Sequence, residues 1–341
     1  MLPPTRARLS GLAVSLPAQY RTMEKTREEI ARQSPFVPPP GALEDLTGIR
    51  GVHVREAGEQ ASDLAVSAAT KAMAEAGVGA GDLDLLLFAS CCQDLIEPAT
   101  AHIVAAKLGA GCPVFDVKNA CNSVLNALEV ASAFIESGRY ATVLIACGET
   151  PTMTTRWRVP DQEAFLRALP GYTLSDAGAA LLLTAGPAGA DDPGVLTTHF
   201  GADSTAWDAC TVESGGSLHF RPADDEPTYI RLNGDLLRSA ALDMAPRAFG
   251  RVPEELRRAR ESAFIAFHQI SRRQYDEVLT ALDLPADRCL PTVADHGNTA
   301  SASLPLQLVR ARESDRTEPG DQVALIGMAS GFSAGLAIIR L

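Results

Sequence analysis

The sequence predicts a layered α/β protein made of two similar halves. Three observations carry this reading. The 341 residues are more than one hydrophobic core usually organises. Short apolar runs alternate with amphipathic helical stretches, the rhythm of βαβ units around a mainly parallel, covered sheet. That rhythm restarts after a Gly/Ala/Asp/Pro linker at Gly186 to Gly194, so the halves are expected as residues 1–188 and 189–341.

The elements follow in order. Leu9 to Leu16 reads as a first strand, because Ser10, Gly11 and Ser15 interrupt what would otherwise be a short secretory h-region. Ser62 to Ala76 is an Ala-rich amphipathic helix, Leu83 to Ala89 a buried strand, and Thr100 to Leu108 a helix. Val114 to Val117 is a strand, Asn119 to Ser137 a helix, and Thr142 to Cys147 and Ala179 to Thr184 are strands. Past the linker come a helix over Gly234 to Phe249, a strand over Ala263 to Phe267, a helix over Ser271 to Leu282 and a helix after Asn298. The charge-free stretch Val323 to Ile339 carries Gly327, Gly331 and Gly335 in a G-x-x-x-G-x-x-x-G pattern, which raises a transmembrane helix. It is shorter than the roughly 20 residues a span needs. Two closing strands, Val323 to Met328 and Gly335 to Leu341, are expected instead, and no membrane span.

Thirty basic against forty-two acidic residues give a net charge of -12, which opposes general attraction to nucleic acid or anionic lipid. The seven cysteines (91, 92, 112, 121, 147, 210 and 289) are odd in number, lie mostly in apolar runs and form no C-x-x-C pair. Neither a disulfide framework nor a zinc cage is indicated, so no metal is expected and a reducing cytoplasm fits.

Cys121 is the most informative of the seven. The strand Val114 to Val117 runs into it, and apolar residues then recur at Val124, Leu125, Leu128, Ala131 and Ile135. A cysteine that opens a helix meets free N–H groups and the positive end of the dipole, which favour a thiolate and lower its pKa. The plain alternative is a small buried hydrophobe. Cys147 and Cys289 read as core fillers, and Cys91-Cys92 ends a strand without a helix start. A thiolate acting on an acyl group needs a proton manager and donors for the developing oxyanion. His268 ends the apolar run Ala263 to Phe267, and Asn298 lies in the small-residue turn Asp295 to Ser303. Alone, each reads as a core histidine or a helix-capping asparagine.

Phe115-Asp-Val-Lys-Asn-Ala-Cys121, Phe267-His-Gln269 and His296-Gly-Asn-Thr-Ala-Ser-Ala-Ser303 occur in the order and rough spacing of the ketoacyl-acyl-carrier-protein synthase III family, which the chain resembles from end to end. Ser175-Asp-Ala-Gly-Ala-Ala180 and the closing strand extend the match. The resemblance implies the thiolase fold, two pseudo-symmetric halves in five αβαβα layers, working as a homodimer. It implies that Cys121 carries the acyl chain and that His268 and Asn298 position a second thioester and stabilise its enolate. Backbone N–H groups of Cys121 and Ala329 would form the oxyanion hole. Family members often have a richer glycine run where this chain has Ala329-Ser330-Gly331. His296 is a variation that could support proton transfer.

The segments Asp94 to Thr100 and Asn119 to Asn126 look like the branch that joins two acyl chains, which includes head-to-head olefin and β-lactone enzymes and pyrone-forming ketosynthases. By that likeness Glu97 would reach the partner subunit's site as a base; otherwise it is a solvated carboxylate ahead of Pro98. No cofactor is implied beyond the phosphopantetheine of acyl carrier protein or CoA that carries the substrates. Arg272 and Arg273, with Arg257, Arg258 and Arg260 upstream, are candidates for carrier-protein docking. The expected activity is Claisen condensation of a Cys-bound acyl group with a second acyl thioester, in polyketide or specialised lipid synthesis, with pyrone closure as a further step. A decarboxylative synthase using a malonyl partner, an O- or N-acyltransferase and a non-catalytic scaffold stay open. Met153 to Leu174 and Ala206 to Phe220 are expected to shape the pocket.

Overall fold

The structure, a computed structural model, describes residues 5–233 and 250–341. The helix expected over Gly234 to Phe249 lies outside the described residues. The first half runs β1 (Thr5–Ser15), β2 (Gln19–Thr22), α1 (Met23–Gln33), α2 (Ala42–Thr47), β3 (Gly51–Val54), α3 (Ala61–Ala76), β4 (Leu85–Ala89), α4 (Thr100–Leu108), β5 (Val114–Val117), α5 (Ser123–Glu136), β6 (Thr142–Glu149), α6 (Gln162–Thr173) and β7 (Ala177–Pro187). The second runs β8 (Gly194–Ala202), β9 (Cys210–Thr211), β10 (Arg231–Leu232), α7 (Pro253–Glu261), β11 (Phe264–Phe267), α8 (Arg272–Ala281), α9 (Val293–His296), α10 (Ser303–Glu313), β12 (Gln322–Ala329) and β13 (Ser333–Arg340).

Two large sheets result, ordered β1-β7-β6-β4-β5 and β8-β13-β12-β11, with two-stranded pairs β2-β3 and β9-β10 beside them. The expectation of mainly parallel sheets is corrected. β1/β7 and β7/β6 are antiparallel and β6/β4 parallel, and β8/β13, β13/β12 and β12/β11 repeat that order of pairings. β12 and β13 are joined by a tight turn, which antiparallel neighbours permit and parallel ones do not. The first sheet adds β5, parallel to β4; the second has at that place only a parallel bridge between Ile265 and Cys289. The two halves are thus pseudo-symmetric.

Alternation along each strand feeds two cores. Leu85 and Leu87 of β4 point inward with Ile145 and Leu181, while Leu86 and Phe88 point outward under α3 and α4 with Leu144 and Leu182. The inner core joins both sheets through α5 and α10, by Leu125 and Leu128 on one helix and Leu304 and Leu308 on the other. A third core lies beyond the second sheet, where Tyr275 and Val278 of α8 meet Ile265, Phe267 and Leu336. The layers are therefore α3/α4, sheet, α5/α10, sheet, α7/α8, the thiolase arrangement. A fourth cluster, with Met23, Ile30, Phe165 and Tyr172, gathers α1, α2 and α6 beside the first half.

Two glycine tracks set how closely the layers approach. A Cβ on Gly148 or Gly178 would lie 1.8 Å from the Ala61 carbonyl or 2.1 Å from that of Leu64, so the Ala-rich α3 rests with its backbone on the sheet. The G-x-x-x-G pattern serves a hairpin, not a membrane helix. Gly327 and Gly335 pair across the β12–β13 ladder beneath Leu125, and Gly331 takes the left-handed conformation, φ 76°, in the turn. No helix among the described residues is long and apolar enough to cross a membrane.

Candidate active site

The cysteine turn begins where β5 stops. Ala120 sits at φ 47°, a left-handed conformation costly for a residue with a Cβ, and Asn119 bridges to Cys121. Hydrogen bonds hold the strained unit. The Ala120 carbonyl accepts from the hydroxyls of Ser123 (2.7 Å) and Ser301 (2.7 Å), and Ser123 Oγ accepts from the Asn119 N–H at 2.9 Å. Asn122, wholly buried, donates from Nδ2 to the Ser333 carbonyl (3.1 Å) and Oγ (2.9 Å), which pins the turn to the β12–β13 hairpin.

Two expectations about Cys121 are corrected. The helix starts at Ser123 with Asn122 as its cap residue, so Cys121 precedes the helix and does not open it. The left-handed Ala120 delays helical geometry by those residues. The thiol pKa is raised rather than lowered: burial is the main cause, and Glu149, Cys210 and Cys92 add to it. A backbone hydrogen bond at Cys121 works the other way without prevailing. The resting sulfur is therefore a thiol.

His268 continues β11 by donating its N–H to the Ile326 carbonyl at 2.9 Å. Its Nδ1 lies 2.9 Å from Ser303 Oγ at the start of α10, and its side chain is buried. Burial pushes the imidazole down to about 4, so it is neutral near pH 7, with one N–H to donate and one lone pair to accept. The strand beneath is braced by Gln307. Its Oε1 accepts from the Phe267 N–H (3.1 Å), and its Nε2 donates to the Phe267 carbonyl (2.8 Å).

Asn298 is clamped through its backbone, its N–H donating to Thr173 O (2.8 Å) and its carbonyl accepting from Ser175 N (2.9 Å). Its Oδ1 accepts from Ala300 N at 3.0 Å, which fixes the amide and leaves Nδ2 as the outward donor. The helix expected straight after Asn298 begins at Ser303, behind a 3-10 turn over Ala300–Ala302 with Ala300 at φ 48°. The Ser301 and Ser303 hydroxyls thus tie the Asn298 turn to the Cys121 turn and to His268. Ala329 ends β12 opposite Ser333, the residue that holds Asn122, so the two backbone donors proposed for an oxyanion belong to adjoining turns.

Other candidates fall elsewhere. Glu97 is exposed on the loop between β4 and α4, beside Leu95 (51% exposed) and Ile96 (57%). That loop is anchored by Asp94, which accepts from Ser62 N, and by Asp116, which accepts from the Thr100 and Ala101 N–H groups. Among the described residues no hydrogen bond joins Glu97 to the cysteine cluster. His296 turns away to His53, Nδ1 to Nε2 at 3.0 Å. The docking arginines carry their own counter-charges: Arg272 pairs with Asp276 (3.1 Å), Arg273 with Glu277 (3.0 Å) and Arg257 with Glu254 and Glu261. Exposed pairs of this kind leave a weak cationic patch.

The sequence reading passed over Glu149. It is wholly buried at the end of β6, accepts from Cys91 N (3.1 Å) and Ser301 N (3.3 Å), and acts on Cys121. The signal was available, since a charged residue closing an apolar strand is the pattern that singled out His268.

A family model described as 3-oxoacyl-[acyl-carrier-protein] synthase III matches residues 115–204, and one for its C-terminal part matches 257–341. The beta-ketoacyl-[acyl-carrier-protein] synthase III of Rhodospirillum rubrum is 31% identical over 341 residues, covering 98% of this chain and 99% of that protein. The protein of the same name from Neisseria meningitidis serogroup C is 30% identical over 337 residues, with 98% and 99% covered. Among solved structures, cerulenin-bound OleA of Xanthomonas campestris superposes with a TM-score of 0.87 at 26% identity, covering 100% of this chain and 98% of that one. The FabH of Xanthomonas oryzae gives 0.86 at 25% identity, covering 98% and 99%. The strand order, the five layers and these relatives lead to one statement: the chain belongs to the 3-oxoacyl-[acyl-carrier-protein] synthase III family and is a condensing acyltransferase of the thiolase fold.

Proposed function

We propose that this enzyme joins two acyl thioesters without decarboxylation. The observation that carries the chemistry is the convergence of the Cys121 turn, neutral His268 and the fixed Asn298 amide through the Ser301 and Ser303 hydroxyls. In the first half-reaction the Cys121 sulfur attacks a carrier-bound thioester; the carrier thiol leaves with a proton, and the acyl group stays on sulfur. In the second, a base removes an α-proton from the second thioester, whose enolate oxygen takes hydrogen bonds from His268 and Asn298 Nδ2. The α-carbon attacks the Cys121 thioester, the C–C bond forms, and the C–S bond breaks to return the cysteine with a β-keto product. Backbone N–H groups of Cys121 and Ala329 would hold the tetrahedral oxyanion.

An acyl thioester with no carboxylate to lose as CO2 needs a base, and Glu97 is assigned that role in the partner subunit's site. Its exposure, the exposed Leu95 and Ile96 around it, and the outer edge of β5, which has no strand partner among the described residues and where Phe115 is 38% exposed, support a homodimer that covers this side of the first sheet. Acyl carrier protein or acyl-CoA would deliver both substrates. The likeness to OleA, solved also with lauric acid and lauroyl-CoA, favours this over a malonyl-type partner. Pyrone closure would need a later O-acylation of the same product.

The test is Glu97→Gln. Self-acylation at Cys121 should persist, while coupling of an unactivated second thioester falls roughly 10²- to 10⁴-fold, the usual share of general base catalysis. A malonyl partner should be affected far less, and a mixed dimer of Cys121→Ala and Glu97→Gln chains should keep one working site. Unchanged coupling would return the enzyme to decarboxylative chemistry.

A further inference from the structure

Glu149 has no cation among the described residues, although its side chain is wholly buried. Its contacts are N–H groups and thiols: Cys91 N, Ser301 N, the Cys91 sulfur (2.8 Å from Oε2) and the Cys147 sulfur (3.9 Å from Oε1). Buried carboxylates are generally paired with a cation or bound to a metal. Two sulfurs stand beside this one. Cys91 and Cys92 Sγ are 3.8 Å apart, and one ligand atom from each of Cys91, Cys92 and Glu149 lies within 4.8 Å of the others.

We propose that Cys91, Cys92 and Glu149 form a binding site for one thiophilic divalent cation, Zn2+ being the best match. Tetrahedral zinc with Zn–S bonds of about 2.3 Å holds two sulfurs about 3.8 Å apart, the separation already present. The carboxylate oxygen, 2.8 Å from the Cys91 sulfur and within 4.8 Å of the Cys92 sulfur, would retreat from Cys91 by roughly 0.7 Å once the Cys91 proton has gone. Binding releases the two thiol protons to solvent and leaves two Zn–S bonds, one Zn–O bond and an open fourth position. The surroundings are built for it. Thr150 N–H points at Cys92 Sγ (3.2 Å), the Cys91 and Ser301 N–H groups hold Glu149 Oε1, and Ser90 Oγ, donating to Gly148 O (2.7 Å), accepts from Cys92 N (2.9 Å). These donors offset the surplus negative charge and orient the ligands, as outer-shell groups do. The proposal departs from the expectation of no metal, which rested on the odd cysteine count, the apolar runs and the missing C-x-x-C; an adjacent pair at a strand end becomes a candidate ligand set only when β6 brings Glu149 against it.

The experiment uses the full-length Cys121→Ala protein, reduced and stripped with chelator, so that the nucleophile cannot supply a ligand. Titration with Co2+ should give one equivalent per chain and a thiolate charge-transfer band with the intensity of two Co–S bonds, displaced by one equivalent of Zn2+. Cys91→Ser and Cys92→Ser should each halve the band and weaken Zn2+ about 100-fold or more, and Glu149→Gln about 10- to 100-fold. Absence of the band, or its persistence unchanged in both serine variants, overturns the site. If those variants do not fold, as circular dichroism would show, peptide-resolved alkylation of the Cys121→Ala protein decides. Zn2+ should protect Cys91 and Cys92 while Cys112 and Cys210 keep reacting; equal labelling with and without Zn2+ rejects the proposal.

Discussion

In the first half β5 passes through left-handed Ala120 to reach Cys121; in the second, the segment that bridges β11 at Cys289 passes Asn298 and left-handed Ala300 to reach Ser301. β6 and β12 occupy matching places in the two sheets, and both have eight residues. One ends in buried Glu149, the other in Ala329. A repeated frame thus carries a cysteine with a carboxylate on one side and neutral hydrogen-bonding groups on the other. The difference teaches that symmetry supplies positions and the residues at the strand ends supply roles. On the proposed reading the first half takes an acyl group and the second manages a carbonyl oxygen.

Breaking the first half should cost most. Cys121→Ala should cut covalent acyl loading by at least about a thousandfold, measured by intact mass after incubation with an acyl thioester. Full loading of that variant would move the nucleophile elsewhere. Breaking the second half should divide the reaction: His268→Ala and Asn298→Ala should lower coupling roughly 10²- to 10⁴-fold while loading changes far less. Equal loss in both steps would erase the division of labour.

Acid should expose the second half through its histidine. Folded His268 binds its proton only near pH 4, whereas an unfolded histidine does so near 6.5. Between those values the unfolded chain holds more protons, so stability is present above about pH 6.5 and is lost as pH falls toward 4. The loss is about 3 kcal/mol for this residue, and His268→Gln should flatten that part of a denaturant-midpoint profile. The smallest effect belongs to Cys121. Because its thiol is held above the ordinary range, loading by chelator-treated protein should rise about tenfold per pH unit through neutrality, with no early plateau. A plateau below pH 7 would mean the helix end outweighs burial after all.

The sequence carried β1, β4 to β7, β11 and the closing hairpin as short apolar runs, and α3 and α5 by burial at every third to fourth residue, while β2, β3 and β8 went unread. Cys121, His268 and Asn298 stood out because each interrupts or follows such a run. What could not be seen was pairwise and distant. Asn122 reaching Ser333, Ser301 reaching Ala120 and Glu149 meeting Cys91 depend on strand order, which periodicity does not encode. The thiol's direction of shift was misjudged for a similar reason: a helix end is visible in one segment, but the burial that outweighs it comes from other elements of the fold.

The carboxamide of Gln307 stands on the side of β11 where the first half lays a whole strand. Its oxygen accepts from the Phe267 N–H and one of its N–H groups donates to the Phe267 carbonyl, as a peptide unit would, while its second N–H donates to the Ser303 carbonyl and its oxygen also accepts from Gln269 Nε2. A strand holds its neighbour through its backbone over several residues; here one wholly buried side chain does so. Gln307→Ala should therefore speed deuterium entry at the Phe267 amide while leaving the β4–β5 amides unchanged. The histidine side thus hangs on one side chain where the cysteine side hangs on a strand.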